Sequence, residues 1–469
     1  MRHTLVRLTG LLIVLMLVLT GCNLIGVDEI KQLEQDYAAL KEQYSAVVAT
    51  YDGGEITQED VMGTFNSQYA YMSQMYSMYG LNMSSDVLTD IEESVVENAV
   101  QNVAIAKQLE SRGLSLDADK LAEVEAEAEE HYQEAYDSFY ASADGKTDEV
   151  RQKQTEYNLY ASGYTKEALY DIELSGANYD LIEETLRDEI TEVTDEELQA
   201  AYDEKVADDE DSYADSPASF ESAMTSEDQV VCWIPEGYRT VKHILVKPED
   251  DVLTAVTDAR NDVASAESAL EALRDELDAL NDDDAEDAAE DAEDAETPRT
   301  AEEIQLDIDA AEVNLESLRA AAEQAEADCL ASVQDKLDEI YGKIEAGEDF
   351  EALIEEYGED PGMQNEPTKT RGYYVSSAST TWDSNFTAGS MALENVGDVS
   401  ETPVISTSGV HIIRYESDAT AGAVPLEDVK DALYEDTLED MKTEHFNDEL
   451  EAWIEALNPQ YSIEAFDLN

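Results

Sequence analysis

Basic residues are scarce in this chain: 27 Lys and Arg stand against 112 Asp and Glu in 469 residues, a formal net charge of −85. Nucleic-acid binding runs on Lys and Arg neutralising phosphate, so that class of partner is excluded. The same charge repels an anionic membrane surface, so attachment there needs something other than charge. Cysteine is nearly absent, with Cys22, Cys232 and Cys329 the only three. The two beyond Cys22 are too few to scaffold a chain of this size, and a single bond between them stays open. Beyond the N-terminal segment no run approaches the roughly 20 apolar residues that a spanning helix needs. The length itself suggests two or three domains.

The N-terminal segment has a basic start, Met1-Arg2-His3-Thr4-Leu5-Val6-Arg7, then an unbroken apolar run from Leu11 to Leu19. A basic n-region, a short apolar h-region and a small-residue cleavage site describe an export signal over residues 1–21. Leu19-Thr20-Gly21-Cys22 resembles the bacterial lipobox, in which the Cys is lipidated and becomes the first residue after cleavage. That resemblance implies lipidation at Cys22 and an extracytoplasmic body anchored to the cell membrane by lipid. About two acyl chains suffice for stable anchoring.

Residues 22–46 are expected to form the lipidated Cys and a helical stalk, with Leu33, Tyr37, Leu40 and Tyr44 at helical spacing. Val47 to Tyr51, the Gly53-Gly54 turn and Thr57 before Gln58-Glu59-Asp60 predict strand, turn and N-capped helix. Helical patterns then run to about residue 208, and Thr194 before Asp195-Glu196-Glu197 is another N-cap. Residues 209–230 lack periodicity and read as a linker. Val256, Val263, Leu270 and Leu277 mark one heptad helix, and Ile304, Ile308, Leu315 and Ala322 mark a second. Together they predict an antiparallel coiled-coil hairpin over 251–329, with arms of roughly 35–40 Å. Cys329 falls on its seam as a small buried residue. From Leu330, Val333, Leu337 and Ile340 the apolar phase shifts, which signals a new packing partner. Leu426 to Leu457 predicts a long amphipathic helix, with Tyr461-Ser462-Ile463 as a closing strand.

With the hairpin set aside, two pieces join. One is Tyr238-Arg239-Thr240-Val241-Lys242-His243-Ile244-Leu245-Val246, an alternating strand with one His at its middle. The other runs from Gly347-Glu348-Asp349-Phe350 through Tyr357-Gly358-Glu359-Asp360 and Gly397-Asp398-Val399-Ser400 to Ser408-Gly409-Val410-His411-Ile412-Ile413. In that order these motifs resemble the parvulin family of peptidyl-prolyl isomerases. The flanking helical region resembles the chaperone segment of SurA- and PrsA-type foldases, on Val47-Val48-Ala49, Gly54-Glu55-Ile56-Thr57 and Val193-Thr194-Asp195-Glu196-Glu197-Leu198.

The resemblance implies an α+β chain. A parvulin-like α/β domain over 236–420, interrupted by the hairpin, would be inserted in a mostly helical chaperone lobe of residues 47–235, completed by a C-terminal helix in 421–469. It implies catalytic roles for His243, Asp360, Ser408 and His411. It also implies a proline cup lined by Tyr374, Trp382 and Phe386, with Tyr374 and Trp382 standing where the family usually has Leu and Met. Rotation about an X–Pro bond crosses a barrier of roughly 18–20 kcal/mol as amide resonance is lost. An apolar cup and polar groups favouring the twisted amide are enough for that, so no metal or cofactor is expected. The implied partners are unfolded exported polypeptides with X–Pro bonds, and a protein partner for the coiled-coil arm. Tyr69, Tyr71, Met72, Met75, Tyr76, Met78 and Tyr79 form an apolar strip that serves either promiscuous binding or helix core.

Overall fold

A computed structural model describes residues 29–227, 229–281 and 299–466. The export segment and Cys22 lie outside the described residues. The elements run α1 (Glu29–Tyr44), β1 (Val47–Tyr51), β2 (Gly54–Thr57), α2 (Gln58–Met78), α3 (Ser85–Arg112), α4 (Ala118–Ser142), α5 (Asp148–Ala161) and α6 (Lys166–Arg187). They continue with α7 (Asp195–Tyr213), α8 (Pro217–Thr225), β3 (Trp233–Ile234), β4 (Arg239–Val246), α9 (Asp250–Asn281), α10 (Ala301–Glu345), α11 (Phe350–Tyr357) and α12 (Thr368–Arg371). The last are β5 (Tyr373–Val375), α13 (Ser384–Met391), β6 (Val404–Ser406), β7 (Gly409–Asp418), β8 (Gly422–Ala423), α14 (Leu426–Ala456) and β9 (Gln460–Tyr461). Among the described residues no helix is long and apolar enough to cross a membrane.

The helices start where the sequence supplies an acceptor for their first free N–H groups. Asp117 accepts from Lys120 N–H at 2.8 Å. Thr194 with Glu197, and Thr300 with Glu303, form reciprocal capping boxes. At the other end of α3, Gly113 takes the left-handed conformation (φ 67°) that releases the chain.

Contacts divide the chain into two units: residues up to 192 with those from 436 onward, and residues 193–435. The first unit is helical around a core that includes Val48, Phe65, Val96, Ile105, Leu186, Phe446 and Trp453. Its small sheet has the order β2-β1-β9, and Ala49 pairs with Tyr461 as the chain returns. One expectation is corrected here. The segment expected as a stalk is part of the lobe, because Tyr44 is buried and Tyr37 and Leu40 pack against the same core. The apolar strip divides between both its readings: Tyr69 and Met72 pack on the core, while Tyr71, Met75, Met78 and Tyr79 are exposed.

The second unit begins at Val193, well before the expected boundary at 235. The expected linker over 209–230 is corrected too: α7 runs to Tyr213 and α8 follows. The reason is packing, since Tyr213, Phe220, Ala223 and Met224 bury against Val231 and Tyr238. An antiparallel sheet of order β5-β4-β7-β6 forms its centre. Strand alternation sorts the two faces. Ile244, Val246, Val410 and Ile412 join Leu337, Ile340, Phe350 and Leu353 of α10 and α11. Val241 and Ile413 turn the other way, with Phe386 of α13.

Helices α9 and α10 form the hairpin arm, zipped by Leu270, Ile304, Ile308 and Leu315 and flanked by Arg274–Glu312 (2.8 Å) and Arg319–Glu267 (2.5 Å). The apolar phase shift occurs inside one unbroken helix, α10, which leaves the arm and becomes a core helix of the sheet. Cys329 is corrected accordingly: it is fully buried with Ile244, Val256 and Ile340 beside the sheet, not on the arm's seam. Cys232 and Cys329 are both buried, and no disulfide joins them.

Candidate active site

The pairing of β4 with β7 sets His243 opposite Ile413 and Leu245 opposite His411. The two histidines therefore sit diagonally on one face, within reach of each other. Both are buried, and their Nδ1 atoms are 2.8 Å apart. The outer nitrogen of His243, Nε2, lies 2.6 Å from Asp360 Oδ2. That same oxygen accepts the Tyr373 hydroxyl at 2.9 Å, and Oδ1 accepts Gly362 N–H at 3.1 Å. On the far side, His411 Nε2 is 2.6 Å from Ser406 Oγ, which accepts Ser408 N–H at 3.0 Å.

These contacts form one continuous polar chain, Tyr373–Asp360–His243–His411–Ser406, under an otherwise apolar floor. Burial pushes His411 down to about 3, with His243 adding to the effect and Asp360 opposing it, so its ring is neutral near pH 7. Burial alone would raise the Asp360 carboxyl. The hydrogen bond and charge of His243, helped by Tyr373 and Gly362, overcome it and hold Asp360 at about 2. Burial and the neighbouring Asp360 push the Tyr373 hydroxyl far up, so it stays protonated and donates to Asp360.

The proton positions follow from the acceptors. Asp360 is a carboxylate, so His243 Nε2 carries a proton and donates it. While His243 is neutral, its Nδ1 is bare and His411 Nδ1–H donates to it. His411 Nε2 is then an acceptor for the Ser406 hydroxyl. In that state every donor of the chain points toward Asp360.

Above this chain stand the aromatic rings. Phe386 meets both imidazoles edge-on, with centroids at 5.1 and 5.0 Å. Tyr373 and Trp382 stack at 4.5 Å, and the Trp382 indole N–H donates to the Tyr374 carbonyl at 2.8 Å. Each such ring pair adds about 0.5–1.5 kcal/mol beyond area burial. Gly372 lets the chain pass close to β4: its φ is +78°, and a Cβ there would meet the Val241 carbonyl at 2.5 Å.

His243, His411 and Asp360 come together, Phe386 lies against both imidazoles, and Trp382 packs on Phe386 and Tyr373. Two sequence expectations are corrected. Tyr374 does not line the cup: it faces the opposite side of β5, against Phe220, and Tyr373 takes the position near His243. Ser408 does not contact His411 through its side chain, which is exposed; the buried partner is Ser406. The signal for Ser406 is the two-residue period of β6, since Val404 pairs with His411 and Ser406 falls on the same face. The signal for Tyr373 is the register, which sets it across from Val241 on the His243 face.

Among the described residues no group of three or more His, Cys, Asp or Glu is placed to hold a metal ion. A surface hollow in the first unit, lined by Asp180, Glu183, Glu184, Arg187, Glu439 and Lys442, is polar and carries no comparable relay.

The chain was compared with known proteins. No curated protein matches it. Among solved structures, the foldase protein PrsA from Streptococcus pneumoniae is similar at 15% identity and a TM-score of 0.23, over 90% of this chain and 97% of that one. A peptidyl-prolyl isomerase (PrsA) from Bacillus anthracis is similar at 12% identity and a TM-score of 0.18, over 78% of this chain and 99% of that one. Scores this low transfer nothing to this chain. The family model described as "Rotamase: PPIC-type PPIASE domain" matches residues 318–417. That span holds Asp360, Trp382, Phe386 and His411 but not His243, because the hairpin separates β4 from the rest in sequence while the sheet restores it at the centre. The chain thus contains a parvulin-type peptidyl-prolyl isomerase domain.

Proposed function

We propose that this chain is a lipid-anchored extracytoplasmic foldase that isomerises X–Pro bonds in exported polypeptides and shields their apolar segments. The observation that carries the reading is the buried relay from Tyr373 to Ser406 beneath Phe386 and Trp382. An apolar floor suits a proline ring, and a fixed carboxylate–imidazole pair offers a preorganised field to an amide losing its resonance. X–Pro isomerisation is slow enough, at tens to hundreds of seconds, to limit the folding of a client.

The shielding half is supported by exposed Tyr71, Met75, Met78, Tyr79 and Leu81, in a stretch from Val61 to Ser85 that carries no charged side chain. Flexible thioethers suit clients of varied sequence. The anchor rests on the sequence of residues 1–22, and the acidity of the body explains the use of lipid rather than charge. The arm is assigned to docking a protein partner: Leu306 and Val313, one heptad apart, are exposed along α10.

A second reading, a chaperone whose isomerase domain does not catalyse, is favoured by one observation. Trp382 already covers Tyr373 at the cup, where a bound proline would compete with it. Proline-limited refolding of a model protein separates the two. Acceleration that is lost in Asp360→Ala supports the foldase; an unchanged slow phase with suppressed aggregation supports the passive chaperone.

A further inference from the structure

Helix α8 lies outside the span matched by the isomerase family model, yet it touches the loops that carry the cup. Glu221, on α8, is fully buried. One carboxylate oxygen accepts the Tyr238 hydroxyl at 3.0 Å; the other accepts Thr381 N–H, next to Trp382, at 3.3 Å. The Met224 carbonyl at the end of α8 accepts from the guanidinium of Arg371, which precedes Gly372 and Tyr373. Phe220, also fully buried, meets the ring of Tyr374 at 5.4 Å and that of Tyr238 at 4.7 Å.

We infer that α8 is a working part of the isomerase site, and that Glu221 is the positioning residue that holds the Tyr373–Trp382 wall of the cup from behind. The inference rests on the isomerase reading given above. The chemical argument is one of cost and placement. A buried carboxylate is expensive unless it is fully hydrogen-bonded, and an apolar residue of similar size would serve packing at lower cost. What the carboxylate adds is a charge-assisted bond to a backbone N–H, which fixes a loop in a way packing does not. The loop it fixes delivers Trp382, and Trp382 is bonded to the Tyr374 carbonyl and stacked on Tyr373. Arg371 anchors the other flank of the same pair to the same helix. Tyr373 in turn donates to Asp360. From Glu221 to the relay the path is continuous and lies within one unit.

Such a residue acts on how substrate is held, not on the fraction of folded enzyme. Partial unfolding lowers apparent kcat and leaves KM alone, whereas a loosened cup raises KM.

The test uses the chain carrying 5-fluorotryptophan, with the Trp382 resonance identified by its loss in Trp382→Phe. Glu221→Leu removes the carboxylate, and Tyr238 keeps Ser376 and Ser379 as neighbours. We expect KM for an X–Pro peptide to rise about ten-fold, with kcat within about two-fold and the Trp382 resonance shifted. Glu221→Gln, which keeps one acceptor, falls between. A folded Glu221→Leu with wild-type KM and an unmoved resonance overturns the inference. If that variant does not fold, Glu221→Gln is judged by the same two measurements. Wild-type protein without isomerase activity would sink the isomerase reading instead, and the Trp382 resonance would still decide whether Glu221 positions the wall.

Discussion

His411 and His243 meet Nδ1 to Nδ1 at 2.8 Å inside the sheet, and only one of those nitrogens can carry a proton at a time. While His243 is neutral and Asp360 fixes its proton on Nε2, the relay has a direction, and its Ser406 end depends on His411 staying neutral.

This dependence makes stability sensitive to pH. His411 is held at about 3 in the fold, below its ordinary 6.5, so the unfolded chain takes up the proton first. The stabilisation is fully present above about 6.5 and is lost as pH falls toward 3, by about 1.4 kcal/mol per unit. Asp360, held at about 2 against its ordinary 3.8, loses its contribution between those two values, below pH 5. Urea midpoints between pH 7.5 and 5 should fall for the wild type, and less steeply for His411→Asn, whose amide reaches the Nδ1 position. Parallel slopes for the two proteins would show that His411 does not carry the effect.

Ser406 closes the relay. Its hydroxyl donates to His411 while His243 is neutral, and the site is buried. Ser406→Ala leaves a buried ring nitrogen bare and should cost about 1–3 kcal/mol of stability along with activity. Ser408→Ala, at an exposed side chain, should stay within about 0.5 kcal/mol of wild type. Equal effects in chemical denaturation would refute the assignment of the two serines.

How far the site was legible in the sequence depended on which neighbour was asked for. His243, Asp360 and His411 sit in motifs whose order survives the hairpin, so they could be named without coordinates. Tyr373 and Tyr374 are adjacent and chemically alike, and a strand sends adjacent residues to opposite faces. Only the register, Val241 with Tyr373 and Thr240 with Tyr374, decides between them. Helix α8 was missed for a different reason. It is nine residues long in a Ser- and Asp-rich stretch, too short to show a period, and its helix is held by tertiary burial of Phe220 and Met224. The helical character of the lobe and the hairpin heptads were plain because long amphipathic patterns repeat.

The two tyrosines give a direct comparison of faces. Tyr373→Phe removes the hydroxyl that Asp360 accepts at 2.9 Å, while keeping the stack on Trp382. It should lower kcat/KM by about ten- to a hundred-fold, the value of one hydrogen bond to a charged group at about 1.5–3 kcal/mol. Tyr374→Phe alters only the α8 side of β5 and should leave kcat/KM unchanged. Peptide isomerisation assays on both variants decide it, and the reverse order of effects would return Tyr374 to the cup.

The arm and the domain can be separated at a definite place. Leu270, Ile304, Ile308 and Leu315 form the arm's own apolar seam, whereas Val256 and Cys329 belong to the core beside the sheet. Arg260 ties the base of the arm to the domain, pairing with Glu326 at 2.7 Å and donating to the Ile405 carbonyl at 3.1 Å. Replacing residues 264–322 by a short Gly-rich loop keeps these contacts, and the ion pairs it removes are exposed ones worth about 0–1 kcal/mol each. That variant should keep its unfolding midpoint and its activity on peptides. A longer excision, 254–328, takes Val256 out of the core and should cost on the order of 2 kcal/mol or more. If both excisions behave alike in thermal unfolding, the arm's seam and the sheet's core are not separate. Loss of peptide isomerisation in the shorter one would place the arm inside the catalytic machinery, against the division of the two clusters.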